Sequence, residues 1–132
     1  MSKEIGRKHE NQAIDILKRI YGGGVSRVQV NKSGHDPFRM VDIMCAKPQL
    51  PVLFVQVKTN GVSPKTFRKY ASRAKLRIDN KHCKFQIWNR VDRNGWYIHE
   101  FNGESFDQKL YIDKCNTSDA REQFATYWGK MY

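Results

Sequence analysis

Val52-Leu53-Phe54-Val55-Gln56-Val57-Lys58 is the stretch on which the reading of this chain turns. Its near-continuous apolar start is that of a strand covered on both faces, which places it at the centre of a sheet. Gln56 and Lys58 break the run, and strand alternation sends both to the same face. A lysine at the end of a buried strand costs on the order of several kcal/mol unless it is paired or used. Breaks in a local pattern of this kind are where functional sites are expected.

The same conflict recurs upstream. Arg39 to Ala46 reads as a strand, and within it Met40-Val41-Asp42-Ile43-Met44 holds a carboxylate inside an apolar run. With Pro48 to Pro51 as the turn, the two strands form a hairpin that brings Asp42 next to the Gln56/Lys58 pair. Further out, Lys3 to Tyr21 has the period of a helix, with Ala13, Ile16, Leu17 and Ile20 on one face and Gly22-Gly23-Gly24 as its stop. Glu10 lies one turn before Ala13, at the edge of that stripe, and leans toward the same sheet. Val25 to Val30 alternates as a strand, and the composition from Asn31 to Pro37 is that of a loop.

Downstream of Asn60-Gly61, Ser63 and Pro64 open a second helix, whose apolar side is Phe67, Tyr70, Ala71 and Ala74. Phe67 and Tyr70 read as core. Lys84 to Val91 and Trp96 to Phe101 form a hairpin around Asp92-Arg93-Asn94-Gly95. A last helix starts near Thr117, with Phe124, Tyr127, Trp128 and Met131 as its apolar stripe. The expected order is α-β-β-β-α-β-β-α in one domain spanning residues 1–132, an α/β or α+β sandwich around one mixed sheet.

Charge points to the partner. The formal net charge is +11 and the pI about 9.8, which favours a polyanion. From Lys58 to Lys84 there are nine basic residues and one acid, Asp79, whereas from Glu100 onward acids outnumber bases. Lys65, Arg68, Lys69, Arg73, Lys75 and Arg77 in this stretch, with Arg7, Lys8 and Lys32, are the candidate contacts to DNA phosphates. His9 and His35 read as surface or phosphate contacts. No base-reading motif is visible, so shape-selective binding is expected. Cys45, Cys83 and Cys115 are odd in number and widely spaced, as in reduced, mostly buried thiols. A polar N-terminus and no apolar run near the ~18 residues of a membrane helix make a soluble cytoplasmic protein the expectation, nucleoid-associated or in a host cytoplasm if viral.

Glu10, Asp42 and Gln56 would together offer two carboxylates and an amide oxygen, hard donors suited to Mg²⁺, with Mn²⁺ as a substitute. Such an ion polarises a scissile phosphoryl group, and Lys58 is placed to orient water or stabilise the transition state.

Asp42, thirteen intervening residues and then Gln56-x-Lys58, with Glu10 upstream in Gly6-Arg7-Lys8-His9-Glu10, resemble the signature of the PD-(D/E)xK nuclease superfamily. The helix-first order, the basic chain and the Ser33-Gly34 loop before the Asp42 strand are most similar to archaeal-type Holliday junction resolvases. The resemblance covers about Gly6 to Val91. It implies a restriction-endonuclease-like αβββαβ core with a C-terminal helix, Glu10, Asp42 and Gln56 as metal-site residues, and Lys58 as the catalytic lysine. Ser33 would assist near the scissile phosphate. It further implies cleavage of four-way or other branched DNA by a homodimer, for which the C-terminal aromatic stripe could supply the interface. Val41 stands where the superfamily name has proline. Gln56 stands where Glu is usual, keeping an oxygen donor but removing a negative charge. A restriction- or repair-type nuclease on duplex or flap DNA, and a DNA-binding protein with a degenerate site, are the alternative readings.

Overall fold

The computed structural model describes residues 3–28, 41–113 and 117–132. Lys32, Ser33 and His35 lie outside the described residues. Helix α1 (Lys3–Tyr21) leads through a short 3-10 turn into strand β1 (Val25–Arg27). Strands β2 (Ile43–Cys45) and β3 (Val52–Thr59), helix α2 (Pro64–Arg77), strands β4 (Cys83–Val91), β5 (Gly95–Phe101) and β6 (Phe106–Asp113), and helix α3 (Thr117–Met131) follow. The six strands form one mixed sheet in chain order. Of the described pairings only β3 with β4 is parallel, the connection between them being α2. This is the expected α+β architecture with a C-terminal helix.

Alternation along β3 sorts the core into two layers. Leu53, Val55 and Val57 join Ile16, Leu17, Trp88, Phe124 and Trp128 beneath α1 and α3. Phe54 on the opposite face joins Tyr70, Ala71, Ala74, Phe85 and Ile87 beneath α2. With helices on both faces, β3 is apolar on both, which is why its apolar run is nearly continuous. The caps follow from residue type: Ser63 Oγ accepts the Thr66 N–H at 3.1 Å, and Pro64 occupies the first turn of α2. Gly24 is required by crowding, because a Cβ there would lie 1.7 Å from the carbonyl oxygen of Ala46. The backbones of β1 and the end of β2 can approach this closely only without a side chain.

Two expectations are corrected. Phe106 to Asp113 is a strand that the expected order lacks. It lies at the sheet edge, where one face and one ladder side meet solvent, so Asp107, Gln108 and Lys109 can replace apolar alternation. The C-terminal aromatic stripe is only in part available as an interface, since Met131 is exposed and Tyr127 half-buried. Phe124 and Trp128 are 0% and 2% exposed, consumed by this chain's own core. No described helix is long and apolar enough to cross a membrane.

Candidate active site

The β2–β3 hairpin brings the first two candidates into contact. The Asp42 N–H donates to Val55 O at 2.9 Å, which continues the ladder one residue past the Ile43–Val55 pair. Asp42 therefore stands opposite Gln56. Gln56 Nε2 donates to Asp42 Oδ2 at 3.0 Å, and the Val57 N–H donates to the same oxygen at 2.9 Å. Gln56 is only 9% exposed, so its amide needs such a partner. The chain neighbours Val41 and Ile43 are both buried, while Asp42 itself is half-buried.

Lys58 lies two residues further on the same face of β3. Its Nζ sits 5.3 Å from the centroid of the Tyr70 ring, on α2. Tyr70 is buried, as its reading as core requires, and it is also the surface against which the lysine rests.

Thr59 points to the other face, where its Oγ1 is hydrogen-bonded to His9 Nδ1 at 2.8 Å. His9 is not the surface or phosphate contact expected of it. It is buried, packs edge-on against Trp96 at 6.3 Å, and ties the head of α1 to the end of β3. Burial lowers its pKa below the usual histidine range, Arg90 and Lys8 add to this, and Asp92 opposes them. Helix phase carries the signal for this placement, since His9 precedes Ala13 by one turn and so continues the buried stripe.

Glu10 follows His9 and comes to rest one strand away from Asp42. Its Oε1 accepts from Arg27 Nε on β1 at 3.0 Å, and Arg27 also donates to Asn11 Oδ1 at 2.6 Å. In the sequence Arg27 was visible only as one member of an alternating strand. Among the described residues no three His, Cys, Asp or Glu side chains converge as a metal-ligand group. The donor set that remains for a cation is the Asp42 carboxylate with the Gln56 amide oxygen. A half-turn of that amide brings Oε1 alongside Asp42. One carboxylate and one amide fit Mg²⁺, which usually keeps several waters and takes few protein ligands.

The basic residues of α2 cover the face that carries Gln56 and Lys58. Lys65, Arg68, Lys69, Lys75 and Arg77 are exposed and Arg73 is half-buried. Lys75 is held by Glu104 at 3.0 Å, and Arg77 donates to Arg73 O at 3.4 Å. Arg7 and Lys8 are exposed at the end of α1 that His9 anchors near Thr59. Cys45 is buried and its thiol is pushed up to about 12, which removes it as a nucleophile.

No protein-family model matches the chain, and no curated protein matches it. Among solved structures the chain is similar to Archaeoglobus fulgidus Hjc, a Holliday junction resolvase from an archaeal hyperthermophile. The similarity has a TM-score of 0.48 and 18% sequence identity, and covers 96% of this chain and 99% of that one.

Proposed function

We propose that the chain is a single-domain, metal-dependent endodeoxyribonuclease of the junction-resolving type, hydrolysing phosphodiesters in branched DNA. The observation that supports it most is the Asp42–Gln56 contact at 3.0 Å, with Lys58 on the same face of β3 and a helix of cations above it. A buried amide and a half-buried acid set among apolar neighbours have no packing role that an apolar pair would not fill better.

In this reading Asp42 and Gln56 hold Mg²⁺, or Mn²⁺ in its place. When bound, the ion offsets negative charge on the phosphoryl group and favours attack by water. Lys58 donates to a non-bridging phosphate oxygen as charge develops there. Asp42 orients the attacking water and is the nearest group of this pair able to take its proton. As the water oxygen bonds to phosphorus, the bond to the leaving sugar oxygen breaks and that oxygen acquires a proton. Ser33 would assist at the scissile phosphate. Glu10 would join the metal site by leaving Arg27. Arg7, Lys8, Lys32 and the α2 cations fix the DNA backbone without reading bases. A C₂ homodimer would supply the two cuts that a four-way junction needs, acting in the cytoplasm, where the DNA is.

The test is cleavage of a synthetic four-way junction beside matched duplex and flap DNA, with Mg²⁺, Mn²⁺ or EDTA. Paired symmetric nicks in the junction, absent in EDTA, are the expected result. Preferential cutting of duplex or flap would transfer the proposal to a restriction- or repair-type nuclease. A second reading, a DNA-binding protein with a degenerate site, is favoured by Gln56 turning its donor end to Asp42 and by Glu10 being held by Arg27. Tight junction binding without cleavage in either metal would select it.

A further inference from the structure

Three cations gather on one tyrosine. Lys58 Nζ lies 5.3 Å, Lys69 Nζ 5.6 Å and Arg73 Cζ 6.0 Å from the centroid of the Tyr70 ring. Lys69 and Arg73 come from one face of α2, four residues apart, and Lys58 comes up from β3 beneath them. Tyr70 is 5% exposed and its ring packs edge-on with Phe85 at 6.4 Å. Tyr70 is thus a rigid floor, and the cations converge on it.

Like charges brought together in this way repel one another, and a ring quadrupole offsets that repulsion only in part. Carboxylates do not supply the rest for the two lysines. Among the described residues the ion pairs are Arg19–Glu122, Arg27–Glu10, Lys75–Glu104 and His82–Asp79, so Lys58 and Lys69 are in none of them. Glu104, which pairs with α2, is held by Lys75. A cluster of two ammonium groups and a guanidinium is suited to a compact, multiply oxygenated anion.

We propose that Lys69 and Arg73, set by Tyr70, form with Lys58 a seat for one particular backbone phosphate, the neighbour of the phosphate that is cut. This inference rests on the nuclease reading for the role of Lys58. Tyr70 is here a positioning residue, holding the cation stems at a fixed spacing. Lys58 stands between the two phosphates, so filling the seat also sets the lysine for the scissile group. The other α2 cations contact the backbone in a dispersed way.

The seat can be tested by binding alone, in EDTA, with four-way junctions in which a single phosphate near the cut is replaced by an uncharged methylphosphonate. For the natural protein one position is expected to weaken binding about tenfold more than its neighbours. In the Lys69→Ala/Arg73→Ala variant that excess should vanish while smaller effects elsewhere persist. Salt dependence gives a second measure. If both side chains share one phosphate, the slope of log K against log[salt] should fall by about 0.9 in the double variant, against about 1.8 if each holds its own. Tyr70→Phe should retain the excess, and Tyr70→Leu, measured below its lowered Tm, should lose it. Binding without any position-specific loss, or a slope change near the larger value, overturns the seat and leaves the nuclease reading intact. Failure to bind any DNA overturns both.

Discussion

Gln56 turns the donor end of its amide to Asp42, Nε2 to Oδ2 at 3.0 Å, so a neutral side chain supplies what a cation would otherwise supply to a half-buried carboxylate. The same oxygen takes the Val57 N–H at 2.9 Å. Two donors on one oxygen favour the charged form of Asp42. A glutamate at position 56 would set two carboxylates against each other and make the hairpin depend on a bound ion.

Gln56→Glu should consequently lower stability in EDTA by about 1–2 kcal/mol, from like-charge repulsion in a partly buried site. Millimolar Mg²⁺ or Mn²⁺ should restore it, because an ion that binds only the folded form raises Tm by mass action. Melting curves with and without metal measure both effects. Equal destabilisation in metal and in EDTA would show that no ion binds between these residues.

Arg27→Met should release Glu10 from its 3.0 Å ion pair while keeping an apolar stem at that position. If Glu10 belongs to the metal site, metal affinity should rise by about tenfold, roughly 1.4 kcal/mol, readable by calorimetric titration. Unchanged affinity would remove Glu10 from the site.

Asp42→Asn and Lys58→Ala should each reduce junction cleavage by at least about 10²-fold, the usual scale for losing a group that faces developing charge. Binding to the junction in EDTA should stay within a few-fold for Asp42→Asn. Full cleavage by either variant would refute the assigned roles.

His9 and His99 both have pKa values below the usual histidine range, His9 by burial and then by Arg90 and Lys8, His99 by burial. The unfolded chain therefore takes up protons at these positions before the folded one does. Their contribution is present in full above the ordinary histidine pKa of about 6.5 and is lost as pH falls through the lowered folded values. The denaturant midpoint should drop between pH 7 and pH 5. His9→Gln, which keeps a partner for Thr59, should make the drop shallower, and an equally steep drop in that variant would place its origin elsewhere.

A buried polar chain under α3 gives a stability test away from the site. Trp88 Nε1 donates to Gln86 Oε1 at 2.8 Å, and Gln86 Nε2 donates to Glu100 Oε1 at 3.0 Å. Gln86→Leu strands a buried indole N–H and takes one donor from the buried Glu100 carboxylate, which keeps Tyr132, and should cost about 2 kcal/mol in chemical denaturation. A cost below about 1 kcal/mol would mean that these groups find other partners.

Much of this architecture was readable from residue pattern. α1 and α2, the β3 run and the β4–β5 hairpin all carry strong periodicity or turn chemistry, and the structure has them where the pattern places them. Asp42 and Gln56 were legible as a pair because each violates an apolar strand, and the hairpin register that joins them follows from the Pro48–Pro51 turn. What lay outside the pattern was of two kinds. Edge strand β6 has little apolar alternation to detect, since solvent covers much of it. The partners of Glu10 and His9 depend on helix rotation against the sheet, a tertiary quantity, so neither Arg27 nor Thr59 stood out in the sequence.

The single parallel joint between β3 and β4 divides the assembly of this site in time. Asp42 and Gln56 meet through a local hairpin, whose closure needs only the turn between β2 and β3. The parallel ladder pairs Val52 with Cys83 and Lys58 with Asn89 only after all of α2 has crossed over, and such non-local pairings are slow to form. The acid–amide contact thus needs only local closure, whereas docking Tyr70, Lys69 and Arg73 above it needs the whole crossover. Under the proposed nuclease reading, the capacity to grip DNA would in this way be withheld until the fold is nearly complete.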